Sequence, residues 1–111
     1  MSSLSLSLQD AQHVSWKIFR KIDAKRDGEG GKRWNPLVLT ADLLKEVEEA
    51  SAVVKGLEGL LSSENPQTKE ALAKELNEIL YSVFVLAEHY GLNLEETFLE
   101  HVNDLLLRTL T

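Results

Sequence analysis

Apolar and polar positions alternate along this chain with the period of helices. Between Leu43 and Leu61 the sequence reads LLKEVEEASAVVKGLEGLL, and Leu43, Val47, Ala50, Val54, Leu57 and Leu61 recur at three- and four-residue steps. That spacing predicts an amphipathic helix buried along one face. Asn35-Pro36 supplies its start signal, Asn as the cap and Pro at the first helical position, so the helix is expected over 36–61. Three further helices follow from the same reasoning. Ser7, with Asp10 behind it, is expected to cap a first helix reaching about Asp23, with Ala11, Val14, Ile18 and Ile22 buried. Asn65-Pro66 repeats the start signal for a third helix that ends near Tyr90, where Gly91 is placed for a left-handed cap. Asn93 and Glu96 form a capping-box pattern for a fourth, whose buried face would be Leu94, Phe98, Val102, Leu105, Leu106 and Leu110. Residues 2–6 alternate Ser and Leu and are expected to be a flexible tail rather than a strand. The segment from Ala24 to Trp34, with Gly28, Gly30 and Gly31, is expected to be a loop; it has no GxxxxGK[ST] motif.

Two features do not fit a plain amphipathic bundle. From Ile79 to Ala87 the third helix is apolar nearly all round, and such a helix must be covered on every side. In so small a chain that points to a second subunit. The other feature is acidic. Glu46 and Glu49 flank the apolar stripe of the second helix, and Glu75 flanks the core stripe of the third, with Glu78 further round. Inward carboxylates are costly to bury unless a cation or hydrogen-bond donors meet them.

Composition narrows the chemistry. With 111 residues the chain makes one domain. It has no cysteine, hence no disulfide framework, thiolate metal site or thiol nucleophile. The N-terminus lacks the pattern of a signal peptide, and no apolar run is long enough to span a bilayer, so a cytoplasmic location without membrane attachment is expected. A net charge of −6 argues against binding a nucleic-acid polymer. The charge is uneven, however. Seven of the twelve basic residues (Lys17, Arg20, Lys21, Lys25, Arg26, Lys32 and Arg33) precede Trp34, and from there on five basic residues meet fourteen acidic ones. A basic segment facing an acidic remainder suits either a solvated helix end or a polyanionic ligand held through a divalent metal.

Two carboxylate pairs on consecutive antiparallel helices can meet near the middle of a bundle. Glu46, Glu49, Glu75 and Glu78 together, without His or Cys, suit a hard cation: Mg²⁺, or Mn²⁺. One carboxylate left free of the metal can serve as general base toward a water. A di-iron site is excluded, because none of His13, His89 or His101 follows a Glu by three residues. Trp16, Phe19 and Trp34 are placed either for core packing or for stacking on a ligand base.

These residues resemble the MazG-type, all-α nucleoside triphosphate pyrophosphohydrolases, whose signature is EExxE on one helix and ExxD on the next. Lys45-Glu46-Val47-Glu48-Glu49 stands in the first motif and Glu75-Leu76-Asn77-Glu78 in the second; Gly91-Leu92-Asn93-Leu94-Glu95-Glu96 is similar to the family's GxxLEE turn. The likeness covers roughly residues 8–108. It implies an all-α four-helix bundle over 1–111, assembled as a homodimer or a dimer-based homotetramer, that cuts nucleoside triphosphates between the α- and β-phosphates with Mg²⁺. Non-standard nucleotides are one expected substrate class. Carried over by position, Glu46, Glu49, Glu75 and Glu78 would hold the metal, with Glu49 the first choice of base and Glu46 the second. Arg20, Lys32, Arg33, Asn103 and Arg108 would meet phosphate, and Trp16 or Trp34 the base. Lys45 replaces the first Glu of the signature, and Glu78 replaces its Asp. These departures keep two other readings open: a member that binds nucleotide or metal without turnover, and a helical oligomerisation module with solvated carboxylates.

Overall fold

The computed structural model describes residues 5–28, 34–60 and 67–110, apart from the side chains of 26–28. Four helices make up the fold: α1 (Leu8–Gly28), α2 (Pro36–Leu57), α3 (Lys69–His89) and α4 (Leu94–Thr109). There is no strand among the described residues, as an all-α class requires.

Capping sets most of the boundaries. Ser7 Oγ accepts from the Asp10 amide at 3.0 Å, and the Ser7 amide donates back to the Asp10 carboxylate at 3.3 Å, a reciprocal box. Asn35 accepts from the Val38 amide and Asn93 from the Glu96 amide, satisfying donors that no helix satisfies itself. Three ends differ from expectation. The second helix stops at Leu57, not Leu61, because Gly59 takes a left-handed φ of 72° and the Leu60 amide turns back to the Lys55 carbonyl. Gly91, at φ 67°, closes α3 in the same way through the Leu92 amide and the Ala87 carbonyl. The third helix is capped by Thr68, whose side chain accepts from the Ala71 amide. Asn65 and Pro66, the expected start, lie outside the described residues. The first helix also runs on through Ala24 and Lys25 to Gly28, since nothing before that glycine breaks it.

Helix α3 is the centre of the fold, with α1 and α2 packed along it. Gln12 meets Glu88 and Phe19 packs against Val85, so α1 runs antiparallel to α3. Glu46 meets Ser82 and Gly56 lies against Gln67, so α2 does likewise. The core joins Phe19, Leu39 and Val85, flanked by Trp16, Trp34, Tyr81 and Leu86.

The buried faces are rotated from those the apolar pattern suggests. On α1 the aromatic side is inward: Gln12 and Phe19 are buried and Trp16 half-buried, while Val14, Ile18 and Ile22 are exposed. An aromatic ring offers more area to α3 than a β-branched residue does, and the helix turns accordingly. On α2 the inward positions are Leu39, Leu43, Glu46, Ala50 and Val53, whereas Val47, Val54 and Leu57 are exposed. Leu61 lies outside the described residues. The largest departure is α4. It packs mainly against α1 and buries no residue, so the face expected to fill the core stands open to solvent.

Candidate metal centre

The rotation of α2 brings the chemistry into view. Glu46 lies within its buried stripe, between Leu43 and Ala50. The matching positions on α3 are Ala71, Glu75, Glu78, Ser82 and Val85, again in alternating four- and three-residue steps and all buried or half-buried. The seam between two antiparallel helices thus carries Glu46, Glu75, Glu78 and Ser82 where aliphatic side chains would be the rule. Glu49, at the rim of the seam, is exposed.

One carboxylate oxygen from each of Glu49, Glu75 and Glu78 lies within 4.8 Å of the other two. Glu75 Oε2 is out of reach of solvent and has no hydrogen-bond partner. Burial pushes the Glu75 carboxyl above its usual range, and the charges of Glu78 and Glu49 push the same way. The close approach of the Glu49 carboxyl adds to the rise. Glu46 is one helical turn from Glu49 and stands apart from the trio; its Oε2 accepts from Ser82 Oγ at 3.2 Å. Its carboxyl is also raised, first by burial, with the Ser82 bond opposing and Glu78, Asp42 and Glu49 adding to the rise. Every donor in the cluster is a carboxylate oxygen, the set that suits Mg²⁺ or Mn²⁺.

Two recesses flank Glu46. An open cleft of about 610 Å³ is lined by Glu46, Glu70, Ala73, Lys74, Asn77, Glu78 and Tyr81. A smaller one, about 180 Å³, lies between α1 and the seam and is lined by Phe19, Ile22, Leu39, Asp42, Glu46, Tyr81 and Ser82. One end of this arrangement is acidic, and the other is floored by an aromatic ring and aliphatic carbon.

The remaining expected residues are dispersed. Trp16 stacks on Phe19 with ring centroids 6.1 Å apart, and Trp34 meets Phe19 edge-on at 5.0 Å and His89 at 4.8 Å. Both tryptophans pack against the core, although Trp34 Nε1 finds no acceptor. The exposed Arg20 holds its guanidinium 5.8 Å from the Trp16 ring. Lys32 and Arg33 lie outside the described residues. Asn103 and Arg108 are exposed on α4, which lines neither recess, and Arg108 pairs with Asp104 at 3.0 Å.

Three cleft residues escaped the sequence reading: Lys74, Tyr81 and Asp42. Lys74 is the informative one, because its charge opposes the rise at Glu75 and it lines the open cleft. Its position directly before Glu75 was the available signal. Comparison with protein-family models, with curated proteins and with solved structures gave no match. No helix among the described residues is long and apolar enough to cross a membrane.

Proposed function

We propose that this chain is a Mg²⁺-dependent nucleotide pyrophosphohydrolase that converts a (d)NTP to the (d)NMP and pyrophosphate. The observation that carries the reading is the convergence of Glu49, Glu75 and Glu78 across the α2–α3 seam, with a desolvated Glu75 oxygen lacking a donor. A carboxylate whose proton affinity burial and two neighbouring carboxylates raise, as at Glu75, is strained when ionised, and a divalent cation relieves it. The motif resemblance to MazG-type enzymes supports the same chemistry.

Glu49, Glu75 and Glu78 hold the metal in this reading, with Glu46 joining from the adjacent turn. Mg²⁺ supplies charge neutralisation for the phosphate oxygens. Lys74 faces the outer phosphates from the cleft wall, with Arg20, Lys32 and Arg33 of the basic N-terminal third as further anion contacts. The Phe19–Leu39 floor of the smaller recess excludes water beside the nucleoside. Glu49, the most exposed of the trio, takes the proton from the attacking water through the carboxylate oxygen it keeps free of the metal, and Glu46 is the alternative base. The protein acts in the cytoplasm as a homodimer or homotetramer on nucleoside triphosphates, non-standard ones among them.

A screen for pyrophosphate release over the common NTPs and dNTPs with Mg²⁺ tests the reading. Turnover that disappears in Glu49→Gln and Glu75→Gln supports it; the same turnover in these variants removes the site assignment.

Lys45 favours one second reading. It is exposed on α2 where the signature has a carboxylate, so a ligand or base is missing. A protein that binds nucleotide without cutting it gives heat with Mg²⁺ and a nonhydrolysable nucleotide in calorimetry but releases no pyrophosphate. A helical oligomerisation module gives neither signal.

A further inference from the structure

The acidic stretches of α2 and α3 repeat one pattern. Lys45-Glu46-Val47-Glu48-Glu49 and Lys74-Glu75-Leu76-Asn77-Glu78 both read Lys-Glu-x-x-Glu. Each lysine directly precedes one carboxylate of the cluster and stands one helical turn before the next, at the i,i+4 spacing that makes side chains neighbours.

Because the two helices run antiparallel, the repeated patterns meet in opposite directions. With Glu46 opposite Ser82, each step forward along α2 meets a step back along α3. Glu78 then comes level with Ala50, Glu75 with Val53 and Lys74 with Val54. The order along the seam is Lys45, Glu46, Glu49, Glu78, Glu75, Lys74, a row of carboxylates with an ammonium group at each end. The rise from residue 45 to the level of Val54 separates the two lysines by about 13 Å. Lys45 falls on the same flank of α2 as Glu49, about 40° from it on the helical wheel. Lys74 lines the open cleft. Both lysines are exposed, and neither forms an ion pair among the described residues. Lys74 already acts on Glu75, where its charge opposes the rise that burial causes.

We propose that Lys45 and Lys74 are built-in counter-charges that limit the site to a single divalent cation, with Lys45 guarding the Glu46–Glu49 end against a second. Four carboxylates are balanced by one divalent cation and two ammonium groups, which leaves no charge to hold another ion. A paired-metal site sets its ions roughly 3.5–4 Å apart, and a second ion on Glu46 and Glu49 would lie within reach of the Lys45 ammonium. That group repels the ion and, having no lone pair, cannot ligate it. Lys45 therefore has a task in the site instead of marking a lost ligand. The inference rests on the metal centre proposed above and is independent of turnover.

Titration with Mn²⁺, with the free ion read by electron paramagnetic resonance, counts the ions held per chain. Wild type and Lys45→Arg should each hold about one ion, and Lys45→Glu about two. Lys45→Met and Lys74→Met should still hold about one, bound about threefold more tightly because a like charge beside it is gone. Lys21→Glu on the exposed side of α1 makes the same change in net charge and should leave the number at about one. All these positions are exposed, so helical circular dichroism should be retained in every variant. A second ion on wild type, or an equal gain in Lys21→Glu and Lys45→Glu, would overturn the proposal. So would wild type, Lys45→Glu and both methionine variants holding one ion with the same affinity, the result for lysines that are merely solvated. Wild type holding no ion would remove the metal centre itself, and this inference with it.

Discussion

Ser82 Oγ donates to Glu46 Oε2 across the α2–α3 seam at 3.2 Å. A serine inside the apolar run ILYSVFVLA is thereby accounted for, since a buried hydroxyl needs an acceptor and the facing helix supplies one. The bond also restrains the rise in the Glu46 proton affinity that burial causes.

Ser82→Ala removes that restraint. Glu46 then holds its proton to higher pH, and the acid limb of the kcat/KM profile should move upward. Stability should fall by about 1 kcal/mol, the usual net worth of such a bond. A pH–rate profile beside a urea titration checks both, and an unmoved acid limb would separate Glu46 from the chemistry.

Glu75→Gln should raise the stability of the metal-free protein near neutral pH. The folded-state proton affinity of Glu75 is raised, so its favourable contribution is present below the unfolded value and is lost as pH rises through the folded one. Above that window the ionised carboxylate opposes folding, and glutamine removes the charge. Melting curves in EDTA should show the variant ahead at pH 7 and level with wild type near pH 4. A variant less stable than wild type at pH 7 would show that the cluster is not strained.

A second buried polar group locks the other end of the fold. Gln12 Nε2 donates to Glu88 Oε2 at 2.7 Å and to the Leu92 carbonyl at 2.6 Å, and Gln12 Oε1 accepts from the Leu94 amide at 3.3 Å. His13 Nδ1 meets the other Glu88 oxygen. This knot fixes the α3–α4 turn to α1. Gln12→Ala should cost about 1–3 kcal/mol, because it leaves the part-buried Leu92 carbonyl, Leu94 amide and Glu88 carboxylate without these partners.

Glu88 titrates in the opposite sense to Glu75. Although burial opposes ionisation, the bonds from Gln12 and His13 hold its carboxyl below the ordinary 4.5. Its contribution is therefore present above that value and lost as pH falls through the folded one. The stability gap between wild type and Glu88→Gln, read from urea titrations, should be full at pH 7 and shrink below pH 4.5.

Helix number, class and several caps could be read directly from the chain, because Ser7, Asn35, Asn93 and Gly91 act locally; the Gly59 turn that ends α2 and the Thr68 cap of α3 were not read. The acidic steps of Glu46, Glu49, Glu75 and Glu78 were visible too. Which face each helix buries was not, because Val14, Ile18 and Ile22 compete with Trp16 and Phe19 on α1, and only the docking on α3 decides between them. The same rotation places Glu46 inside the α2 stripe rather than on its flank. Helix α4 misled for a different reason: its apolar pattern is real, but it packs mainly on α1 and buries none of those residues.

The central claim is that the Glu49–Glu75–Glu78 trio takes a hard divalent cation. Titration of Mn²⁺ followed by electron paramagnetic resonance measures that directly, since bound ion loses the sharp signal of free ion. Wild-type protein should sequester Mn²⁺ and release it to excess Mg²⁺, and Glu75→Gln should not sequester it. Equal free-ion signals with wild type and variant would contradict the account.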